Sequence, residues 1–238
     1  MMNKNGYRHL IFDIDDTLLD FGSAFFLARE NVATFLGVEC SEEYKALDEK
    51  TGWKAWNEMR LDSTEEEDVQ KHYHEYYYEY LRRHFKYLLE ELGMKEDEEA
   101  LVDCYLEAIA SSASLKEAGT LDVIRKLSEN YVIELASNGI VKTQMKRIKI
   151  FEPFVRKTYI SEDIGAIKPT EDFFKYILRD LQCNPGECLM IGDSIMNDVI
   201  GAKKAGMATC YYNPRNKEVR SDCCDYVIDC IQKLLQIL

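Results

Sequence analysis

Short apolar runs that alternate with amphipathic helical patterns constrain this chain more than any other feature. RHLIFD (residues 8–13), YVIELAS (131–137), KTYIS (157–161), CLMIGD (188–193), ATCYY (208–212) and DYVI (225–228) read as strands. Helical patterns such as TLDVIRKLSEN, PTEDFFKYILRDL and VIGAKKAG lie between them. Strands separated in this way assemble as a parallel sheet with helices on both faces, a Rossmann-like α/β fold. Ligands of such a sheet bind beyond the carboxyl ends of the strands, so the residues that follow each apolar run are where chemistry is expected.

The alternation is interrupted once. Between Glu39 and Glu107 there are 21 acidic and 9 basic residues, so nearly all of the chain's net charge of −13 sits in this block. TGWKAWNEM, QKHYHEYYYEYLRRHFKYLLEELGM and DEEALVDCYLEAIASS place apolar residues at helical spacing and lack proline, and the second stops near Gly93. The expected organisation is an α/β core of residues 1–19 and 113–238 with an all-helical cap inserted over residues 20–112.

With 238 residues, the chain can bury a core without disulfide staples. Its acidity opposes a role as a nucleic-acid or anionic-membrane binder. The apolar run nearest the start, Leu10 to Phe12, is too short for a signal peptide or a membrane span, and a cytoplasmic protein is expected. None of the eight cysteines forms a C-x-x-C pair, and Cys223 and Cys224 are adjacent, so reduced structural thiols are expected.

Asp13, Asp15 and Asp16 follow the first apolar run at once. Asp13 and Asp15 are two apart and project to the same side of an extended chain, where like charges need a cation or a shared proton. A second cluster, GDSIMND with Asp193 and Asp198, follows CLMI. Oxygen ligands at strand ends, with no His or Cys set nearby, suit a hard cation such as Mg²⁺. Ser137-Asn138-Gly139 ends another strand, and Lys168-Pro169 precedes a helix whose expected N-cap is Thr170. Hydroxyl, amide and ammonium groups are what a phosphate requires.

DIDDT, ASNG, IGAIKP and GDSIMND, in that order, resemble the four motifs of the haloacid dehalogenase superfamily, whose phosphatases carry D-x-D-x-T, a Ser or Thr, a Lys and G-D-x-x-x-x-D. The stretches ISEDIGAIKPTEDFF and MIGDSIMNDVIGAKKAGMATCYYNP are further similar to bacterial pyrimidine 5′-nucleotidases of the YjjG type, which carry a helical cap after the first motif. The resemblance implies a Mg²⁺-dependent phosphomonoesterase. Asp13 would be the nucleophile, Asp15 the general acid and base, and Ser137 and Lys168 the groups that stabilise the phosphoryl oxygens, with Asn138 touching substrate. Asp13, Asp193 and the Asp15 backbone carbonyl would hold the metal, with Asp198 in support through water or Lys168. Dehalogenation of carbon is disfavoured because Asp15, Lys168 and the acidic pair are all present.

His72, His74 and His84 are not expected to bind metal, since residues two apart on a helix diverge. The tyrosine run at 76–80 is expected to pack with its polar tips at the surface, and Trp53 and Trp56 to pack the cap, stacking on a nucleobase being the alternative. A small phosphomonoester is the expected partner. A sugar-phosphate phosphatase or phosphosugar mutase, or a binding protein that keeps the fold, are the competing readings.

Overall fold

A computed structural model of the chain describes residues 6–220 and 222–238. Six strands form one sheet: β1 (His9–Asp13), β2 (Val132–Ser137), β3 (Val155–Ile160), β4 (Cys188–Gly192), β5 (Ala208–Tyr212) and β6 (Tyr226–Ile228). Their order is β3-β2-β1-β4-β5-β6, and every pairing is parallel. Each strand falls on an expected run; the central β1, β2, β4 and β5 are almost wholly buried and so read as nearly continuous apolar stretches, whereas the edge strand β3 starts two residues earlier than expected and exposes Arg156 and Lys157.

Among the described residues, ten α-helices accompany the sheet: α1 (Phe21–Phe35), α2 (Glu42–Met59), α3 (Glu67–Leu92), α4 (Glu98–Ser111), α5 (Thr120–Ser128), α6 (Val141–Arg147), α7 (Ser161–Ile164), α8 (Glu171–Leu181), α9 (Gly201–Lys204) and α10 (Leu234–Ile237). Side chains alternate along β1, so Leu10 and Phe12 pack against α5 through Val123, Ile124 and Leu127, while Ile11 faces Phe173, Phe174 and Ile177 of α8. Thr170 caps α8, accepting from the Phe173 N–H, and Gly93 ends α3 in a left-handed conformation at φ 66°.

Helices α1–α4 lie between β1 and β2 in the chain and share an apolar cluster of their own, built on Ala28, Ala55, Leu81, Phe85, Leu101 and Tyr105. The chain passes between this cluster and the sheet twice, and the two passages are stitched together. The Asp20 N–H donates to the Ser114 carbonyl at 2.9 Å and the Lys116 N–H to the Leu18 carbonyl at 2.9 Å. Lys116 Nζ also bridges the carboxylates of Asp16 and Asp20 at 2.7 and 2.8 Å. Among the described residues, no helix is long and apolar enough to cross a membrane.

Candidate active site

Parallel register sets the site. Asp13 pairs with Ala136 and Phe12 with Ile191, so the ends of β1, β2 and β4 are adjacent, and Asp13, Ser137 and Asp193 emerge side by side. The strand order reverses across β1, which places these ends at the crevice where open parallel sheets bind ligands.

The Asp13 carboxylate is nearly enclosed, at 7% exposure, and held from both sides. Thr17 Oγ1 donates to its Oδ2 at 3.0 Å and Lys168 Nζ to its Oδ1 at 2.6 Å. Lys168 Nζ further donates to Asp198 Oδ1 at 2.7 Å and to the Ala136 carbonyl at 3.1 Å, so all three ammonium protons have acceptors. The Lys168–Pro169 peptide is cis. The Asn138 side chain is spent on fixing this loop, donating to the Lys168 carbonyl and accepting from the Lys168 N–H, both at 2.7 Å.

Asp198 is brought in by a π-helical turn, Ile195–Ile200, a geometry that recurs at functional sites. The Ser194 N–H donates to Asp198 Oδ2 at 3.0 Å, and Gly192 leaves the room that this carboxylate fills.

Carboxylate oxygens of Asp13, Asp193 and Asp198 all lie within 4.8 Å of one another. Burial pushes the Asp13 carboxyl well above the usual carboxylate range despite Lys168, and Asp198 and Asp193 add to the rise. Burial likewise lifts Asp193 to about 6, reinforced by Asp198 and Asp16. Burial works against the Lys168 charge, yet Asp13 and Asp198 outweigh it and hold the ammonium above its ordinary value. Three acids against one lysine leave a surplus of negative charge, and the donors are all oxygens. Those residues fit a hard divalent cation.

One cavity of about 160 Å³ is lined by Asp13, Asp15, Ser137, Asn138, Lys168, Asp193 and Asp198, all of the residues singled out from sequence. The Asp15 carboxylate is not one of the three clustered acids. Its oxygens accept from Arg147 Nη1 and from Gln144 Nε2, and Gln144 Nε2 also donates to Ser137 Oγ at 2.8 Å.

A second cavity, of about 270 Å³, adjoins Asp15 and Asp16 and runs between the sheet edge and the helical insert. Phe25, Trp56, Tyr73, Tyr77, Tyr80 and Tyr105 form much of its wall. Sequence reasoning singled out Trp56, Tyr77 and Tyr80 but passed over Phe25, Tyr73 and Tyr105. Tyr76 and Tyr78 do present their hydroxyls outward, to Asp68 and Glu162, but Tyr77 turns inward. Trp56 packs edge-on against Tyr80 at 5.2 Å, whereas Trp53 is 56% exposed and does not pack the core as expected. The buried stripe of α2 runs through Tyr44, Asp48, Thr51, Gly52 and Ala55, and residue 53 falls off its edge. His84 is buried against Phe85, with its Nε2 3.0 Å from Asp48 Oδ1.

Gln144, Arg147 and Lys116 were also missed. Gln144 and Arg147 are three apart and so share a face of α6, but nothing near them in sequence marks that face as functional.

An all-parallel sheet that gathers an aspartate, a lysine and two further acids at its switch point defines an α/β protein with an oxygen-donor cluster that fits a hard cation. The chain matches the haloacid dehalogenase-like hydrolases over residues 7–206 and belongs to that family. The HAD-hydrolase YfnB of Bacillus subtilis is 32% identical over 219 residues, covering 89% of this chain and 86% of that protein. A crystal structure of YfnB bound to magnesium superposes with a TM-score of 0.80 at 29% identity, covering 98% of both chains. The pyrimidine 5′-nucleotidase PynA of Streptococcus pneumoniae is 28% identical, covering 89% of this chain and 86% of its own. A glyceraldehyde 3-phosphate phosphatase of Pyrococcus furiosus is 27% identical, covering 96% and 92%.

Proposed function

We propose that this hydrolase is a Mg²⁺-dependent phosphomonoesterase that works through an aspartyl-phosphate and acts on nucleoside 5′-monophosphates, pyrimidine nucleotides above all. The observation that carries the reading is the pair of adjoining cavities: a small, charged one around Asp13 and a larger, aromatic one that meets it at Asp15.

Asp13 attacks phosphorus, and Lys168 and Thr17 fix the rotation of its carboxylate for that attack. The bond from phosphorus to the leaving oxygen breaks as Asp15 delivers a proton to that oxygen. Asp15 then takes a proton from water, the water oxygen attacks phosphorus, and the bond to Asp13 breaks to release phosphate. Ser137 supplies a donor to the phosphoryl oxygens, Lys168 adds positive charge beside Asp13, and Asp198 holds Lys168 in place. Asp13, Asp193 and the Asp15 backbone carbonyl would hold Mg²⁺, which when bound offsets the repulsion between an anionic nucleophile and an anionic substrate. Residues 20–112 act as a cap whose aromatic wall covers the base and excludes water.

The test is phosphate release from nucleoside monophosphates and sugar phosphates, with Mg²⁺ or EDTA, against Asp13→Asn. Release from UMP, dUMP or dTMP that needs Mg²⁺ and is lost in the variant is expected. Release chiefly from glyceraldehyde 3-phosphate and its kin would keep the mechanism and replace the substrate, a second reading that the Pyrococcus relative favours. No release from any ester would end the phosphatase reading.

A further inference from the structure

Arg147 is one of the most enclosed charged side chains of the protein, at 1% exposure. A buried guanidinium costs several kcal/mol in desolvation unless its partners compensate, so its surroundings need an explanation. Its Nη1 donates to Asp15 Oδ1 and, at 3.0 Å, to Gln144 Oε1. Its Nε donates to the Ser112 carbonyl at 3.0 Å, and its guanidinium carbon lies 5.7 Å from the centre of the Phe21 ring. Ser112 is the residue at which α4 hands the chain back to the sheet, and Phe21 opens α1. One side chain therefore touches both passages between the helical insert and the sheet as well as the carboxylate of Asp15. Gln144, from the same face of α6, donates to the other Asp15 oxygen and to Ser137. Both oxygens of Asp15 are thus oriented by α6, and that orientation is tied to where the insert joins the sheet.

We propose that Arg147, assisted by Gln144, is a positioning residue for Asp15: it sets the rotation of that carboxylate and links it to the two passages of the insert. The inference rests on the proposed role of Asp15 as proton donor to the leaving oxygen. Proton donation matters most for a poor leaving group such as a sugar alkoxide and little for p-nitrophenolate, which departs without help. A residue that only holds the fold would affect both kinds of ester alike.

The experiment compares kcat/KM for UMP and for p-nitrophenyl phosphate in the wild type, Arg147→Met, Arg147→Lys and Gln144→Met, with Asp13→Asn as blank. Loss of a correctly placed general acid removes about 100-fold or more, so Arg147→Met is expected to lose about that much on UMP and under about threefold on p-nitrophenyl phosphate. Arg147→Lys keeps the buried charge but cannot reach Asp15 and Ser112 together, and it is expected to show the same split at smaller size. Gln144→Met removes no charge, and so carries the test even if Arg147→Met does not fold. Equal proportional losses on both esters, or an undiminished rate on UMP, would overturn the proposal. A wild type that hydrolyses neither ester would overturn the phosphatase reading, and this inference with it. A wild type active on both, with no split in the variants, would overturn this inference alone.

Discussion

Lys168 carries more of the site than any other single side chain, since its ammonium meets Asp13, Asp198 and the Ala136 carbonyl at once. Its replacement by methionine leaves two buried carboxylates facing each other. Breaking a buried pair in this way costs about 3–5 kcal/mol, so Lys168→Met is expected to unfold at markedly lower denaturant and to lose at least about 100-fold in kcat. Lys168→Arg should not rescue turnover, because a planar fork cannot send three bonds to the acceptors that surround a point charge. A second residue-scale prediction concerns the buried contact between His9 Nδ1 and Glu134 Oε1, at 3.0 Å between β1 and β2. Burial lifts the Glu134 carboxyl from 4.5 to about 8, and burial lowers His9, so the pair is a neutral hydrogen bond. A carboxyl raised in the folded state stabilises it fully below pH 4.5 and loses that contribution as pH climbs through about 8. Glu134→Gln, which keeps the bond without the ionisation, is expected to melt level with the wild type near pH 4.5 and above it at pH 9; equal melting at pH 9 would refute the neutral pair. What was legible at this scale follows from reach along the chain. Asp13 and Asp15 announce themselves by spacing, whereas Arg147 meets Asp15 across 132 positions, and no local pattern encodes that meeting.

Among the elements, the central strands β1, β2, β4 and β5 were readable because burial on both faces leaves a mostly apolar run, the edge strands β3 and β6 only through their buried ends, and α8 because Thr170 and a clean apolar stripe mark its start and inner face. Helix α6 was not, since seven residues give too few turns for periodicity to register. The π-helical turn was hidden for another reason: the sequence names Asp198 but not the backbone path that aims it. That path has a steric signature at its far end. A Cβ on Gly201 would approach the Pro169 carbonyl oxygen and Cα to 2.9 Å and run into the Phe174 ring, so α9 and the Lys168–Pro169 loop can close on each other only over glycine. Gly201→Ala is therefore expected to cost about 1–3 kcal/mol by overpacking, and also to lower kcat by displacing Lys168 from Asp13. Retained stability with full turnover would show that the loop has slack.

For the molecule as a whole, charge is divided between the two parts that meet at the site. The acidic insert was plain in composition, and its contact with a basic helix was not. Lys146 of α6 pairs with Glu107 at 2.6 Å, and Lys142 with Asp103 at 3.4 Å, so α4 faces α6 with opposite charge close to the aromatic cavity. Both pairs are exposed, and exposed pairs add about 0–1 kcal/mol each to stability. Reversing both lysines to glutamate puts four acids on facing helices. The melting temperature is expected to fall by only a few degrees, while the proposed cap should close less readily over substrate. KM for UMP should then rise several-fold with little change in kcat. Salt supplies the check on the cause. Repulsion between exposed groups is screened over about 10 Å at 0.1 M ionic strength and about 3 Å at 1 M, so the KM defect should shrink as salt is raised. A defect that persists unchanged in 1 M salt would mean that these helices meet through packing, and that their charge serves some other end.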